Sequence, residues 1–107
     1  MIKPYHKLIR DKIPEIIEKD GKTCEVVSLS DKEYLDALHA KLGEELKEYQ
    51  EDYSIEELAD LQEVVDAIVK AEGLTPKEFA ALQEKKRQSN GGFDKKLMLI
   101  SVDDHKK

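Results

Sequence analysis

The stretch GEELKEYQEDYSIEELAD, residues 43–60, holds eight carboxylates in eighteen positions. Four of them, Glu45, Glu48, Glu57 and Asp60, form two i,i+3 pairs on either side of the connection Asp52-Tyr53-Ser54. At about 100° per residue, Glu45 falls inside the apolar stripe of Tyr34, Leu35, Leu38, Leu42, Leu46 and Tyr49, and Glu48 lies at its edge. The same arithmetic puts Glu57 inside the stripe of Leu58, Leu61, Val64, Val65 and Ile68, with Asp60 at its edge. A connection this short folds two helices back antiparallel, so the pairs meet at matching heights. Carboxylates converging in a partly buried groove repel and lose solvation unless cations neutralise them. With oxygen donors alone and no Cys or His nearby, the expected ion is hard Mg²⁺, with Mn²⁺ a second candidate.

Glu51, Glu56, Glu63 and Asp66 fall outside both stripes and are assigned to solvent. Glu44, one step outside but i,i+4 to Glu48, is either a further ligand or a group supporting the ligands. The competing explanation for so acidic a helix is a solvated face, and the wheel positions argue against it. Mg²⁺ held by few carboxylates completes its shell with water and phosphate oxygens, and paired ions orient a water for in-line attack on phosphorus. That is an arrangement for phosphoryl-bond hydrolysis. Cationic partners for the phosphates are available in Lys85-Lys86-Arg87, before the turn Ser89-Asn90-Gly91-Gly92-Phe93, and in Lys7-Leu8-Ile9-Arg10-Asp11-Lys12. Both runs are also explained as solubilising or dipole-compensating charge.

The pairing Glu45-x-x-Glu48 with Glu57-x-x-Asp60 resembles the metal motif of the all-α nucleotide pyrophosphohydrolases, the MazG-like superfamily that includes phosphoribosyl-ATP pyrophosphohydrolase. The flanks resemble one branch of it: Tyr5-His6-Lys7-Leu8-Ile9-Arg10-Asp11-Lys12-Ile13-Pro14 its opening signature, and Lys85-Lys86-Arg87-x-x-x-Gly91-Gly92-Phe93 its glycine-containing closing one. The resemblance implies a helix-bundle core, a homodimer or homotetramer, Mg²⁺ dependence, and cleavage between the α and β phosphates of a nucleoside triphosphate. The products are a nucleoside monophosphate and pyrophosphate, and the associated role is removal of non-standard nucleotides. On this chain it implies metal ligation by Glu45, Glu48, Glu57 and Asp60, one of the glutamates orienting the attacking water. It further implies phosphate contacts from Lys86 and Arg87 and a ligand or interface role for Lys7 to Lys12, with Lys7 and Arg10 as substrate-binding candidates. Only eight residues separate Glu48 from Glu57, a tighter hairpin than in many members, which bears on substrate identity. The alternative class is a non-catalytic helical module that binds structural cations, a nucleotide or a basic partner.

The elements that must hold these residues are signalled by their ends. Ser30/Glu33, Ser54/Glu57 and Thr75/Glu78 each have the reciprocal capping spacing, the last with Pro76 at the first helical position. Gly73 and Asn90-Gly91-Gly92 are stops. Helices are therefore expected near 31–52, 55–72 and 76–89, with a short one near 12–19 whose Pro14 fits only its first turn. The runs Cys24–Leu29 and Leu97–Val102 read as two short β segments pairing with each other. The class is mainly α: an antiparallel helical hairpin in a bundle core with two flanking β segments.

A length of 107 residues suits one domain spanning 1–107, with a core modest enough that a second copy would add useful buried surface. Net charge is −6, but residues 31–72 carry fourteen acidic against four basic groups. Such a centre repels a nucleic-acid backbone and excludes polymeric DNA or RNA as the expected partner. The sequence contains neither a membrane-spanning run nor a secretion signal, so the expected location is cytoplasmic. Cys24 is the lone cysteine and is read as a half-buried inert thiol. His6, His39 and His105 lack metal-like spacing, and residues 103–107 read as a frayed tail.

Overall fold

The computed structural model describes residues 1–3 and 5–104, and among them it is helical without strands. Helix α1 is Ile13–Lys19, with Pro14 in its first turn, where a missing N–H costs no hydrogen bond. Helix α2 is Asp31–Asp52 and starts on a complete capping box: Ser30 Oγ accepts from the Glu33 N–H at 3.2 Å, and Glu33 Oε1 accepts from the Ser30 N–H at 3.0 Å. Helix α3 is Ile55–Ala71, and α4 is Pro76–Asn90. The ends thus fall within a residue of the expected ones, because caps and breakers rather than propensity set them.

The turn between α2 and α3 is made by Tyr53, whose φ of 54° and ψ of 32° lie in the left-handed region. A tyrosine there pays a steric cost that glycine avoids. Its N–H bonds the Tyr49 carbonyl at 2.7 Å, and its ring meets the Tyr49 ring edge-on at 5.4 Å, which offsets part of that cost. Gly73, at φ 89°, ends α3 with the Gly73 and Leu74 N–H groups bonded to the Lys70 and Val69 carbonyls.

The described residues divide into two compact units between Pro76 and Lys77. In the first, α2 packs along α3 as the expected antiparallel hairpin. Its apolar core is small: Leu38, Val64 and Val69 are the buried hydrophobic residues, Leu38 at 2% exposure. Leu42, Leu61, Val65 and Ile68 are half-buried around them, whereas Leu46 and Leu58, from the same stripes, remain exposed. The second unit carries α4 from Lys77 onward and the segment after it.

Two expectations are corrected. Neither Cys24–Leu29 nor Leu97–Val102 forms a strand; both are irregular, with Val27 80% and Ile100 86% exposed. β-prone side chains do not make a strand without a ladder partner, and a lone two-stranded pair is marginal in water. Cys24 in the first run is accordingly exposed rather than half-buried. Asp103 and Asp104 lie outside any helix and are exposed, while His105, Lys106 and Lys107 of the expected tail fall outside the described residues. Among the described residues no helix is long and apolar enough to cross a membrane.

Candidate metal centre

The hairpin brings all four predicted carboxylates to one region of the first unit. Glu45, Glu57 and Asp60 each present an oxygen within 4.8 Å of the others, and Glu44, Glu45 and Glu48 do the same, so Glu45 belongs to both groups. Glu44, left between two roles by the sequence, takes its place in the second group. Glu51, Glu56, Glu63 and Asp66 are exposed, as the wheel requires.

Burial is graded across the site. Glu45, projecting from the middle of the α2 stripe, is 8% exposed, the buried charged residue among those described. Glu44, Glu48, Glu57 and Asp60 are half-buried. Burial first, then the negative charge of Glu48, pushes the Glu45 carboxyl above its ordinary value of 4.5; the Lys41 ammonium, 3.5 Å away, opposes the rise. Burial likewise raises the Glu57 carboxyl, followed by the charges of Glu48 and Asp60. Glu45 and Glu57 therefore hold protons more tightly than free carboxylates do, as expected of like charges sharing a partly dry groove.

Capping chemistry explains how Glu57 is free to join the group. Ser54 Oγ accepts from the Glu57 N–H at 3.2 Å, as its position predicts, but the Ser54 N–H donates to Asp52 Oδ1 at 3.1 Å. The expected reciprocal bond from the Glu57 side chain is thereby replaced. Oε2 of Glu57 and Oε2 of Glu45 are both buried and lack a hydrogen-bond partner. Two orphaned carboxylate oxygens are costly unless something cationic occupies the space they face. The residues fit a hard divalent cation: oxygen donors only, on two elements, with unsatisfied lone pairs.

Basic residues border this region. Arg10 Nη2 donates to Asp60 Oδ1 at 2.7 Å, and Lys7 Nζ lies 3.6 Å from Glu44 Oε1. Both candidates from the N-terminal run thus reach the carboxylates. Lys41, 3.4 Å from Glu44 Oε1, was not singled out from the sequence, although its i,i+4 spacing to Glu45 is the signal for such a pair. Lys86 and Arg87 lie on α4 in the second unit, where Arg87 pairs with Glu84 at 3.9 Å.

Comparison with known proteins adds one relative. A protein of Mycolicibacterium smegmatis, described only as uncharacterized, is 52% identical over 42 residues, which make up 39% of this chain and 43% of that protein. The match thus spans less than half the length of that relative. No family model matches the chain. No solved structure matches it either.

Proposed function

We propose that the chain is a Mg²⁺-dependent nucleoside triphosphate pyrophosphohydrolase of MazG-like type, cleaving between the α and β phosphates to release a nucleoside monophosphate and pyrophosphate. The observation that carries this reading is the pair of orphaned oxygens, Glu45 Oε2 and Glu57 Oε2, inside overlapping carboxylate groups centred on Glu45. Glu45, Glu48, Glu57 and Asp60 are the proposed ligands, with Glu44 a fifth donor. Held by these residues, a divalent cation would supply charge neutralisation and Lewis-acid polarisation of phosphate oxygens and water.

The chain's own groups supply the rest. One of the glutamates of the cluster is proposed to orient the attacking water and accept its proton. Arg10 and Lys7, which pair with Asp60 and Glu44, are the proposed cationic partners of phosphate oxygens, and Lys86 and Arg87 on α4 are further candidates. The proposed role is house-cleaning of non-standard nucleotides in the cytoplasm.

A homodimer or homotetramer is part of the same proposal. Ile55 at 74% exposure, with Leu46 and Leu58, leaves apolar side chains open among the carboxylates of the site-bearing end of the hairpin, and another copy would cover them. Sedimentation analysis checks the assembly.

The reaction is tested by pyrophosphate release from a panel of ordinary and modified nucleoside triphosphates with and without Mg²⁺. Metal-dependent release that disappears in Glu57→Gln supports the proposal. Silence across the panel, with Mg²⁺ still raising the melting temperature, favours the non-catalytic metal-stabilised module.

A further inference from the structure

The carboxylates at the proposed centre carry counter-ions from a segment outside the helical hairpin. Lys7 and Arg10, three residues apart ahead of α1, each serve a different carboxylate group: Lys7 approaches Glu44 and Arg10 binds Asp60. The arm that holds them is anchored by Leu8 and Ile9, which are half-buried, and by the Ile13 N–H bond to the Arg10 carbonyl at 3.1 Å. Its cationic side chains are looser, with Lys7 44% and Arg10 57% exposed. Exposed pairs of this kind are weak and exchange partners easily. Beside them, His6 and Lys7 face Ala37, Ala40 and Lys41 of α2 across a cavity of about 210 Å³ that Glu44 also lines.

The charges define what can be added. Five carboxylates, Glu44, Glu45, Glu48, Glu57 and Asp60, face three cations, Lys7, Arg10 and Lys41. With every group ionised, one divalent cation balances the cluster. Any further positive charge then needs an anion. Arg10 and a divalent cation also compete for the Asp60 carboxylate, and once the cation holds it the guanidinium is repelled. A phosphate group offers that guanidinium a new anionic partner, able to accept two hydrogen bonds, in place of the single bond to Asp60 that it has lost.

Resting on the metal reading above, we propose that Lys7 and Arg10 are place-holders. A divalent cation displaces them from Glu44 and Asp60, and the released arm then grips the phosphates of a polyphosphate ligand through the cavity beside α2. Metal and polyphosphate therefore bind with positive coupling, each favouring the arm position the other needs. Arg10 consequently has opposite effects on the two ligands. It opposes the metal when no anion is present and holds the anion when the metal is bound.

Calorimetric titration of the full chain with Mn²⁺ alone, and with inorganic pyrophosphate at saturating Mn²⁺, tests this. Arg10→Ala should bind Mn²⁺ about two- to fivefold more tightly than the unaltered chain, the scale of an exposed ion pair. It should bind pyrophosphate about tenfold more weakly, the scale of a charge-assisted hydrogen bond. Lys7→Ala should shift both in the same directions, and Arg10→Lys should fall between. An unshifted or weakened Mn²⁺ affinity in Arg10→Ala, or an unshifted pyrophosphate affinity, overturns the place-holder role while leaving a metal-binding site intact. Absence of Mn²⁺ binding in every form removes the metal centre and the place-holder with it.

Discussion

Ser54 caps α3 for Glu57 without being capped by Glu57 in return: its own N–H goes to Asp52 Oδ1. This substitution of partner converts a helix-end residue into a site residue, because the Glu57 carboxylate is released toward Glu45 and Asp60. Asp52→Ala removes the competing acceptor and lets the Glu57 side chain return to the Ser54 N–H. The expected outcome is a divalent-cation affinity weakened about tenfold, as for other groups that orient a ligand. Metal-free stability should move by less than about 0.5 kcal/mol, since one cap replaces another. Calorimetry and thermal melts read the two quantities separately; an unchanged metal affinity would show that Glu57 is held by something else.

The raised carboxyls give a pH dependence with a definite sign. Glu45 and Glu57 bind protons more tightly in the folded chain than at their ordinary value of 4.5. Their stabilising contribution is therefore complete below that value and lost as pH rises through the higher folded values. Metal-free protein should melt at higher temperature near pH 5 than near pH 8, and Glu45→Gln with Glu57→Gln should flatten the trend. Added Mg²⁺ should stabilise more at the upper end, where the ligands are ionised. Glu33 acts oppositely: the Ser30 N–H bond to its side chain lowers its carboxyl, so that contribution is present above 4.5 and lost on acidification.

The hairpin's stability is concentrated in few side chains. Leu38, at 2% exposure the most buried of the core, should cost about 2–5 kcal/mol on truncation to Ala. Ser30→Ala, which opens the complete capping box, should cost about 1 kcal/mol. Leu46→Ala, on the same helix but 44% exposed, should cost clearly less than Leu38→Ala in a dilute single chain. Urea melts of the three variants give the ranking, and a Leu46 cost equal to that of Leu38 would mean that this exposed face is covered in solution.

What was legible in the sequence was whatever a local rule governs. Ser30, Ser54, Gly73 and Gly91 mark the helix ends because caps and left-handed stops act within a few residues. Helical periodicity put Glu45 in the α2 stripe, and the short Tyr53-Ser54 turn fixed the register that joins it to Glu57 and Asp60. Two failures came where the outcome depends on a partner. The Val26-Val27 and Leu97–Val102 runs have β-prone residues but no ladder. The Ser54/Glu57 spacing read as a reciprocal cap because nothing in that spacing shows Asp52 taking the bond. Lys41 does carry a local signal, since it stands at i,i+4 from Glu45, the most buried of the acidic residues described.

The most direct test of the central claim, that carboxylates gathered around Glu45 hold a divalent cation, is Mn²⁺ binding followed by electron paramagnetic resonance on the unaltered chain, Glu45→Gln and Glu51→Gln. Glu51 is exposed on the same helix and controls for net charge alone. The account predicts saturable binding in the unaltered chain and in Glu51→Gln, and its loss in Glu45→Gln although that variant still folds. Equal binding by all three, or none by any, would contradict it.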